Sequence, residues 1–339
     1  MHRLFVVAAT LAAILTSTPC EAVAQDLFFS EDGRTIREVV SVPSATENEF
    51  SHVRAITYDA ETGKTIHILD LEADTWFFSA TTDGRVAIVS IDRDRKDAHA
   101  RILRVDLKTG QTQQLPSAWF DEDDQNPYAQ ISGDGRLVSA YSQEGPEDGP
   151  EVVTVYQWPS KKLVAEQSSG FNAGGIDWGG VTPDGKIEFG NNRAGSRIVD
   201  PKTGRTLVAY GPLSIRSPDG AWVVEFPNAG WGFEGKELPI LNGMDGKTVG
   251  KLELSLSDEE ADWWWHGAFC GASGRFVAAG PDEVLAFEIP SGKKLATFPL
   301  NTWKDPDTKE KTTANVACSP TDKRVAIRSG ARLTLHNLD

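Results

Sequence analysis

A short turn sequence recurs seven times along the chain, and this repeat constrains the fold more than any other feature. Most copies contain an Asp-Gly pair followed by Arg or Lys, a combination typical of tight turns between strands. The copies are Ser30–Arg34, Thr82–Arg85, Gly133–Arg136, Pro183–Lys186, Pro218–Gly220, Ala272–Arg275 and Pro320–Arg324. Most successive copies lie about 50 residues apart, which indicates a chain built from repeated units of similar size.

A second turn marker lies between successive copies of the first, in a constant phase. Its clearest copy is Asp59–Lys64, where Asp59 can accept backbone N–H groups and Gly63 can supply the positive φ of the turn. The other copies are Asp106–Gln111, Asp200–Arg205, Asp245–Lys247 and Pro290–Lys293, with Pro159–Lys162 in the third unit lacking the glycine. Two turns in each unit predict four short strands in each unit.

The runs between the turns have the composition of strands. They are rich in Val, Ile, Leu and aromatic residues, as in Val152–Trp158 and Trp222–Phe226. Because one four-stranded unit cannot bury both of its faces alone, the units are expected to stack around an axis. The prediction is an all-β fold: a seven-bladed β-propeller of four-stranded antiparallel blades. A β-sandwich or jelly roll is the alternative, and it leaves the in-register turn pairs as coincidences.

The turn sequences also resemble a known group of repeats. Ser217–Gly220, Thr182–Gly185 and Asp59–Lys64 are similar to the turns of bacterial WD40-like and YVTN-type β-propeller repeats. The resemblance covers nearly all of the chain after its N-terminal segment, but the Gly-His and Trp-Asp dipeptides of the eukaryotic repeats are absent. It implies a propeller fold and says almost nothing about function.

The N-terminal segment reads as a secretory signal. His2 and Arg3 precede an apolar stretch, Leu4–Leu15, that is too short to span a bilayer. Ala22–Ala24 fits a small-x-small cleavage site. We therefore expect a signal peptide over residues 1–24 and one β-propeller domain over residues 25–339, periplasmic or secreted, with no membrane span. A lipid anchor on Cys20 is the alternative, and Ser17–Pro19 before it does not match a lipobox.

The balance of charge excludes some partners. The chain has 34 Lys and Arg against 49 Asp and Glu, a formal net charge of −15. Nucleic acids and anionic membranes bind basic surfaces, so neither is expected as a partner. The charge fits a secreted protein, or one that meets cationic groups or metal ions.

Cys270 and Cys318 occupy near-equivalent places on the predicted inner strands of adjacent blades. One interpretation is two buried thiols between the blades. The other is a disulfide, which an oxidising compartment permits. A disulfide needs Cα atoms within about 7 Å, and inner strands are often farther apart than that, which favours the thiols.

The phase of the turns predicts which face of the disc carries function. The two turns of each unit close hairpins that point the same way, so both lie on one face, which we call the turn face. The opposite face, the loop face, receives the second-to-third-strand loops and the links between blades. Those segments vary most in length and composition, so we expect the functional residues there.

Aromatic and acidic residues are concentrated in the segments predicted for the loop face. An exposed Trp is unfavourable unless it packs or binds, so this pattern favours a surface that recognises a sugar, a peptide or a protein. The candidate ligand-binding residues are Trp119, Asp121, Asp123, Trp231, Phe233, Trp263, Trp264, Trp265, His266 and Trp303.

Two other interpretations of these segments stay open. Carboxylates could bind Ca²⁺, although no Asp-x-Asp-x-Asp-Gly loop is present, so neither a metal nor another cofactor is assigned. The acidic residues concerned are Asp121, Asp123, Asp124, Asp258, Glu260 and Asp262. Alternatively, Trp263–Trp265 begins an inner strand and the acidic runs are only solvated loops.

Sequence motifs for catalysis are missing. The chain has no Gly-x-Ser-x-Gly elbow, His-Glu-x-x-His motif, haem site or phosphate-binding glycine loop. The favoured hypothesis is a monomeric, non-catalytic binding or scaffold module for a protein or glycan partner. The alternative is a propeller enzyme, lactonase- or lyase-like, that uses a metal or carboxylates at the channel mouth.

The ends of the chain raise the question of ring closure. The final strand, Leu333–Asp339, ends where a third strand of the seventh blade should end. Asp26–Ser30 or Ile36–Val42 is expected to supply the missing outer strand.

Overall fold

The structure is a computed structural model of the chain, and it describes most of residues 23–338. The secondary structure is almost wholly β, with a single short 3₁₀ turn, Ser117–Trp119, among the described residues. Within that span, the segments not described are 43–51, 74, 92–100, 121–127, 144–150, 169–177, 192–194, 212, 227–236, 255–265, 272–273, 281, 301–313, 322–323 and 331.

Twenty-seven strands form seven antiparallel sheets, which are the blades of a seven-bladed β-propeller. Blade one contains β1 (Val23–Phe29), β2 (Thr35–Val42), β3 (His52–Asp59) and β4 (Thr65–Ala73). Blade two contains β5 (Thr75–Ala80), β6 (Val86–Ile91), β7 (Arg101–Asp106) and β8 (Thr112–Gln114). Blade three contains β9 (Tyr128–Ile131), β10 (Leu137–Gln143), β11 (Glu151–Gln157) and β12 (Lys162–Ser168).

The remaining four blades follow the same order. Blade four contains β13 (Trp178–Val181), β14 (Ile187–Asn191), β15 (Gly195–Val199) and β16 (Thr206–Tyr210). Blade five contains β17 (Leu213–Arg216), β18 (Trp222–Phe226), β19 (Glu237–Asn242) and β20 (Thr248–Glu253). Blade six contains β21 (His266–Cys270), β22 (Arg275–Ala279), β23 (Glu283–Glu288) and β24 (Lys294–Pro299). Blade seven contains β25 (Asn315–Cys318), β26 (Arg324–Ser329) and β27 (Arg332–Asn337).

The first strand of each blade is the innermost, because the first strands of most neighbouring blades contact one another around the ring. The predicted order of strands and turns is confirmed, and the two turns of a blade do lie on one face. In blade one the N–H of Ala60, in the second turn, donates to the carbonyl of Arg34 in the first, at 2.9 Å. The equivalent bond in blade two joins Leu107 to Arg85 at 2.8 Å. The first strands therefore run from the loop face to the turn face.

The first turn of each blade is fixed by its own side chains. In blade one the Ser30 hydroxyl donates to Asp32 at 2.7 Å, and the same carboxylate accepts the N–H of Arg34 at 3.0 Å. Gly33 has a φ of +67°, a conformation that other residues rarely adopt. The same hydroxyl–carboxylate bond occurs in blades two to five. The Asp of the repeat is therefore structural, which explains why the motif recurs.

The hydrophobic core lies between neighbouring blades and not at the axis of the disc. Between blades five and six, for example, Leu238, Ile240, Phe276 and Phe287 are completely buried in one cluster. Each such side chain contributes about 1.5–3 kcal/mol when it is removed from water. Stacking around the ring thus supplies the burial that a single blade lacks.

Among the described residues, no sheet combines strands from the two ends of the chain. The prediction that Asp26–Ser30 or Ile36–Val42 completes the seventh blade is wrong, because these segments belong to β1 and β2 of blade one. Blade seven has three strands in the described part of the chain, and its inner strand β25 packs beside β1. Pairing β1 with β2 gives blade one its own inner strand, which a strand moved to blade seven would remove.

Side chains join blades one and seven at what we call the closing seam. The buried carboxylate of Glu38 lies 2.8 Å from the Arg328 guanidinium and accepts the Tyr58 hydroxyl at 2.6 Å. Arg324 reaches from blade seven to the carbonyl of Gly33 at 2.8 Å. Burial raises the pKa of Tyr58 first of all, and the bond to Glu38 raises it further. Charged groups that are both buried and paired in this way hold the seam in one register.

A disulfide joins the neighbouring seam. Cys270 in β21 and Cys318 in β25 are bonded, with Cα atoms 4.6 Å apart. The expectation that neighbouring inner strands lie too far apart is therefore wrong at this position, and the disulfide interpretation is confirmed. Blade seven is thus held covalently to blade six and by side chains to blade one.

Candidate functional site at the loop end of the channel

Most of the predicted site residues lie outside the described residues. This holds for Asp121, Asp123, Trp231, Phe233, Trp263, Trp264, Trp265 and Trp303, and for the carboxylates considered for Ca²⁺. His266 is the first residue of β21, and its side chain is not described. Only Trp119 has a described environment.

Trp119 packs in the core between blades two and three. Its indole lies in the 3₁₀ turn at Ser117–Trp119 and is 9% exposed. The ring stacks on Tyr156 with centroids 3.8 Å apart and an angle of 4° between the planes. The link that carries Trp119 is therefore anchored by it, and the indole faces are covered by protein.

The structure reveals an exposed group on the inner strands that the sequence analysis missed. In each blade the inner strand pairs with the second strand, and the pairs can be counted from the first turn, which joins the two strands. We call the seven inner-strand residues of the fourth pair the channel rung. The rung contains Asp26, Trp76, Tyr128, Trp178, Leu213, Gly267 and Asn315. It lies at or near the start of each inner strand, at the loop end of the channel.

Three adjacent blades contribute the rung residues with the clearest exposure. Trp76 is 59% exposed, although it lies on an inner strand. Asp26 is also exposed, and Tyr128 is half-buried. A large aromatic side chain left open in this way is unusual for an inner strand, and it marks a surface available to a ligand.

Bulges in two inner strands place these side chains. The ladder of β1 shifts register between Ala24 and Asp26, and that of β5 shifts between Phe77 and Ser79. A bulge turns the residues beside it and disrupts the regular alternation of a strand. Trp76 therefore leaves the inter-blade core, where Phe77 remains packed.

The Asp26 carboxyl is open to the channel but surrounded by protein. This burial raises the pKa of Asp26 to about 7. No hydrogen bond or ion pair to its side chain is found within the described part of the chain. Burial raises the pKa of Tyr128, and the charge of Asp26 raises it further, so the two groups interact across blade two. Near neutral pH the carboxyl is thus poised between its neutral and charged forms.

Tyr128 is held in place by its neighbours. Its ring packs against Phe78 with centroids 4.9 Å apart, and its hydroxyl oxygen accepts the Gln130 side-chain amide at 2.8 Å. The Ser79 hydroxyl accepts the N–H of Ile131 at 3.0 Å, which ties β5 to β9. A rigid aromatic group with a fixed hydroxyl loses little conformational entropy on binding a ligand.

A cavity of about 880 Å³ lies at the other end of the channel, on the turn face. Its lining includes Arg85, Arg136 and Asp106 from blades two and three. These charges are already matched: Arg85 lies 3.6 Å from Asp106, and Arg136 lies 3.7 Å from Asp134. Asp106 also accepts backbone N–H groups of its own turn. These three groups of the turn-face cavity therefore take part in the structure of the turns, whereas Arg104, which also lines the cavity, lies over the Trp158 ring and has a buried Nε without a hydrogen-bond partner.

Two further carboxyls lie in the interior between blades four and five. Asp184 forms a two-point ion pair with Arg216, with both N–O distances 3.0 Å and both side chains largely buried. Burial raises the pKa of Asp184, but bonds from Arg216 and Thr182 outweigh it and hold the pKa below its ordinary value. Burial raises the pKa of Glu188 to about 7, and its carboxyl accepts the Tyr210 hydroxyl at 2.9 Å. These groups have protein partners and act within the fold.

The described residues contain no group of three or more His, Cys, Asp or Glu placed to hold a metal ion. They also contain no helix long and apolar enough to cross a membrane. The segments with the predicted Ca²⁺ ligands lie outside this part of the chain.

The blade order and the closed ring define the molecule as a seven-bladed β-propeller. A chain of the Kuenenia stuttgartiensis hydrazine synthase has a similar fold, with a TM-score of 0.58 and 14% sequence identity over 98% of this chain and 99% of that one. At this identity the likeness shows the fold alone. No protein-family model and no curated protein sequence matches the chain.

Proposed function

We propose that the protein is a non-catalytic β-propeller binding module that takes a protein or glycan partner at the loop face. One observation carries the proposal: Trp76 is exposed on an inner strand, at the same rung as Asp26 and Tyr128. Binding sites commonly join aromatic anchors to a few fixed polar groups in a concave position. The mouth of a propeller channel provides such a position.

The predicted loop residues fit the same proposal. In the sequence, their Trp and acidic segments either precede an inner strand or join a second strand to a third, and these are the connections assigned to the loop face. The turn-face cavity is the weaker candidate, because most of its polar groups lie in the repeated turns and bond within them. The disulfide between Cys270 and Cys318 supports a location in an oxidising compartment, in line with the proposed signal peptide.

The test places a photo-crosslinking amino acid at one end of the channel at a time. Trp76 is replaced for the loop end, and Arg136, which is also exposed, for the turn end. Secreted and periplasmic proteins of the source organism, and a glycan array, are then offered to both variants. We expect capture only from position 76, and at least tenfold weaker binding of the captured partner by Trp76→Ala. Capture from both positions alike, or unchanged binding by Trp76→Ala, would refute the proposal.

A further inference from the structure

We infer that the group bound at the channel rung is cationic: the ammonium or guanidinium end of a Lys or Arg side chain on a protein partner. This inference rests on the proposed function and narrows it from any protein or glycan to a basic protein segment. Its basis is the combination of Asp26, Trp76 and Tyr128 on three adjacent inner strands.

Among the described residues, the cations nearest to Asp26 along the sheet and the closing seam have other partners. Arg37, on the strand paired with β1, donates to the Gly84 carbonyl and to Thr57. Arg328, across the closing seam, lies against Glu38. Asp26 thus has no ion pair among the described residues, and a cation that enters the channel would stabilise its charged form.

The aromatic groups favour the same ligand. The faces of Trp and Tyr attract cations, by about 0.5–1 kcal/mol at exposed sites and about 2 kcal/mol or more where water is removed. Trp76 and Tyr128 lie on either side of one blade-to-blade contact, and Tyr128 is fixed by Phe78 and Gln130. A neutral sugar would use the aromatic faces but would leave the carboxylate without a counter-charge.

The net charge of the chain also favours a cationic ligand. A formal charge of −15 raises the local concentration of cations and repels anionic ligands. Lys and Arg have long apolar stems with a charged end, which suits an aromatic-walled entrance.

The probes for the test are n-butylammonium and n-butylguanidinium, with n-butanol and n-butylurea as neutral counterparts. Binding is followed by Trp fluorescence, and the signal of Trp76 is identified by its loss in Trp76→Phe. For the intact protein we expect millimolar affinity for both cations and at least tenfold weaker binding of the neutral probes. This comparison needs no variant, so it does not depend on whether a variant folds.

Variants then assign the site. Asp26→Asn is expected to weaken cation binding at least tenfold, whereas Arg136→Ala at the turn end and Met244→Ala on an exposed turn leave it unchanged. Equal binding of cationic and neutral probes, or unchanged binding by Asp26→Asn, would overturn the inference. If neutral oligosaccharides alone alter Trp76 fluorescence, the cationic ligand is refuted and the binding module stands. If crosslinking at position 76 captures no partner, the proposed function itself fails.

Discussion

The two ends of the central channel use the same residue types in opposite ways. At the turn end, carboxylates accept bonds from turn hydroxyls and backbone N–H groups, and exposed arginines lie beside them. At the loop end, Asp26 has no such partner among the described residues, and Trp76 is open to solvent. The difference separates two tasks: the turn-end groups stabilise the fold, and the binding site that we propose lies at the loop end.

This separation follows from chain geometry. The turns are short, so their polar groups lie close enough to bond to one another and to the next blade. The links at the loop end are longer and differ from blade to blade, so they impose no shared pattern on the inner strands beneath them. Substitutions at the two ends should therefore differ in whether they alter stability or binding.

The largest effect is expected at the buried ion pair between blades four and five. Arg216→Met leaves the Asp184 carboxylate buried and unpaired, and we expect a loss of about 3–5 kcal/mol in the free energy of unfolding at pH 7. Because the pair lowers the pKa of Asp184, its contribution is present above the ordinary Asp pKa of about 4 and is lost as the pH falls below it.

Denaturant unfolding from pH 7 to pH 3 measures this difference. Arg136→Ala is the matched control at the same end, since its pair with Asp134 is exposed, and it should change stability by about 0.5 kcal/mol or less. An equal loss in the two variants would show that the turn-end ion pairs do not differ by burial.

The disulfide is expected to have the next largest effect. Replacing both Cys270 and Cys318 by Ser removes a crosslink between residues 48 positions apart, and should lower the free energy of unfolding by about 2–4 kcal/mol. Unfolding of the oxidised and the reduced wild type provides a second measurement of the same crosslink. Unchanged stability in both experiments would place the covalent bond outside the forces that hold blade seven.

Asp26→Asn should increase the free energy of unfolding, whereas the turn-end variants should decrease it. The folded pKa of about 7 exceeds the ordinary value of about 4, so wild-type stability falls as the pH rises from 4 through 7. At pH 8.5 the variant should gain about 1 kcal/mol, well below the full shift because the carboxylate is open to water.

Below pH 4 the two proteins should unfold at the same denaturant concentration, since the carboxyl is then neutral in both states. Asp184→Asn is the opposite control, because it should lose stability at pH 7. Destabilisation by Asp26→Asn at pH 8.5 would indicate that the carboxylate has a favourable partner within the fold.

Trp76→Ala should have the smallest effect on stability, about 0.5 kcal/mol or less, because an exposed side chain loses little packing when it is removed. This variant is expected to weaken binding of the partner instead. Trp119→Ala, which removes an indole buried against Tyr156, should cost about 3–5 kcal/mol and serves as the matched Trp control. Thermal unfolding of the two variants distinguishes them. Similar losses in both would mean that Trp76 is part of the core.

The repeat made the blades predictable, but the site depends on features that a repeat does not contain. Asp32 and Gly33 specify a turn through local bonds, so the sequence alone identifies it and its face. Asp26 and Trp76 occupy the same rung of adjacent inner strands, and each lies near a bulge, which hydrophobic alternation does not reveal. The packing of Trp119 depends on Tyr156 from the next blade, a long-range contact that its own loop sequence does not encode.

The closing seam has a consequence for how the molecule fluctuates. Blade seven is tied covalently on one side, whereas on the other it meets blade one through packing, Glu38, Arg324 and Arg328. A local opening of the circle should therefore begin between β25 and β1. In native-state hydrogen exchange, we expect the amides at the β25–β1 interface to be less protected than those between blades five and six. The ring would then open locally at this one interface.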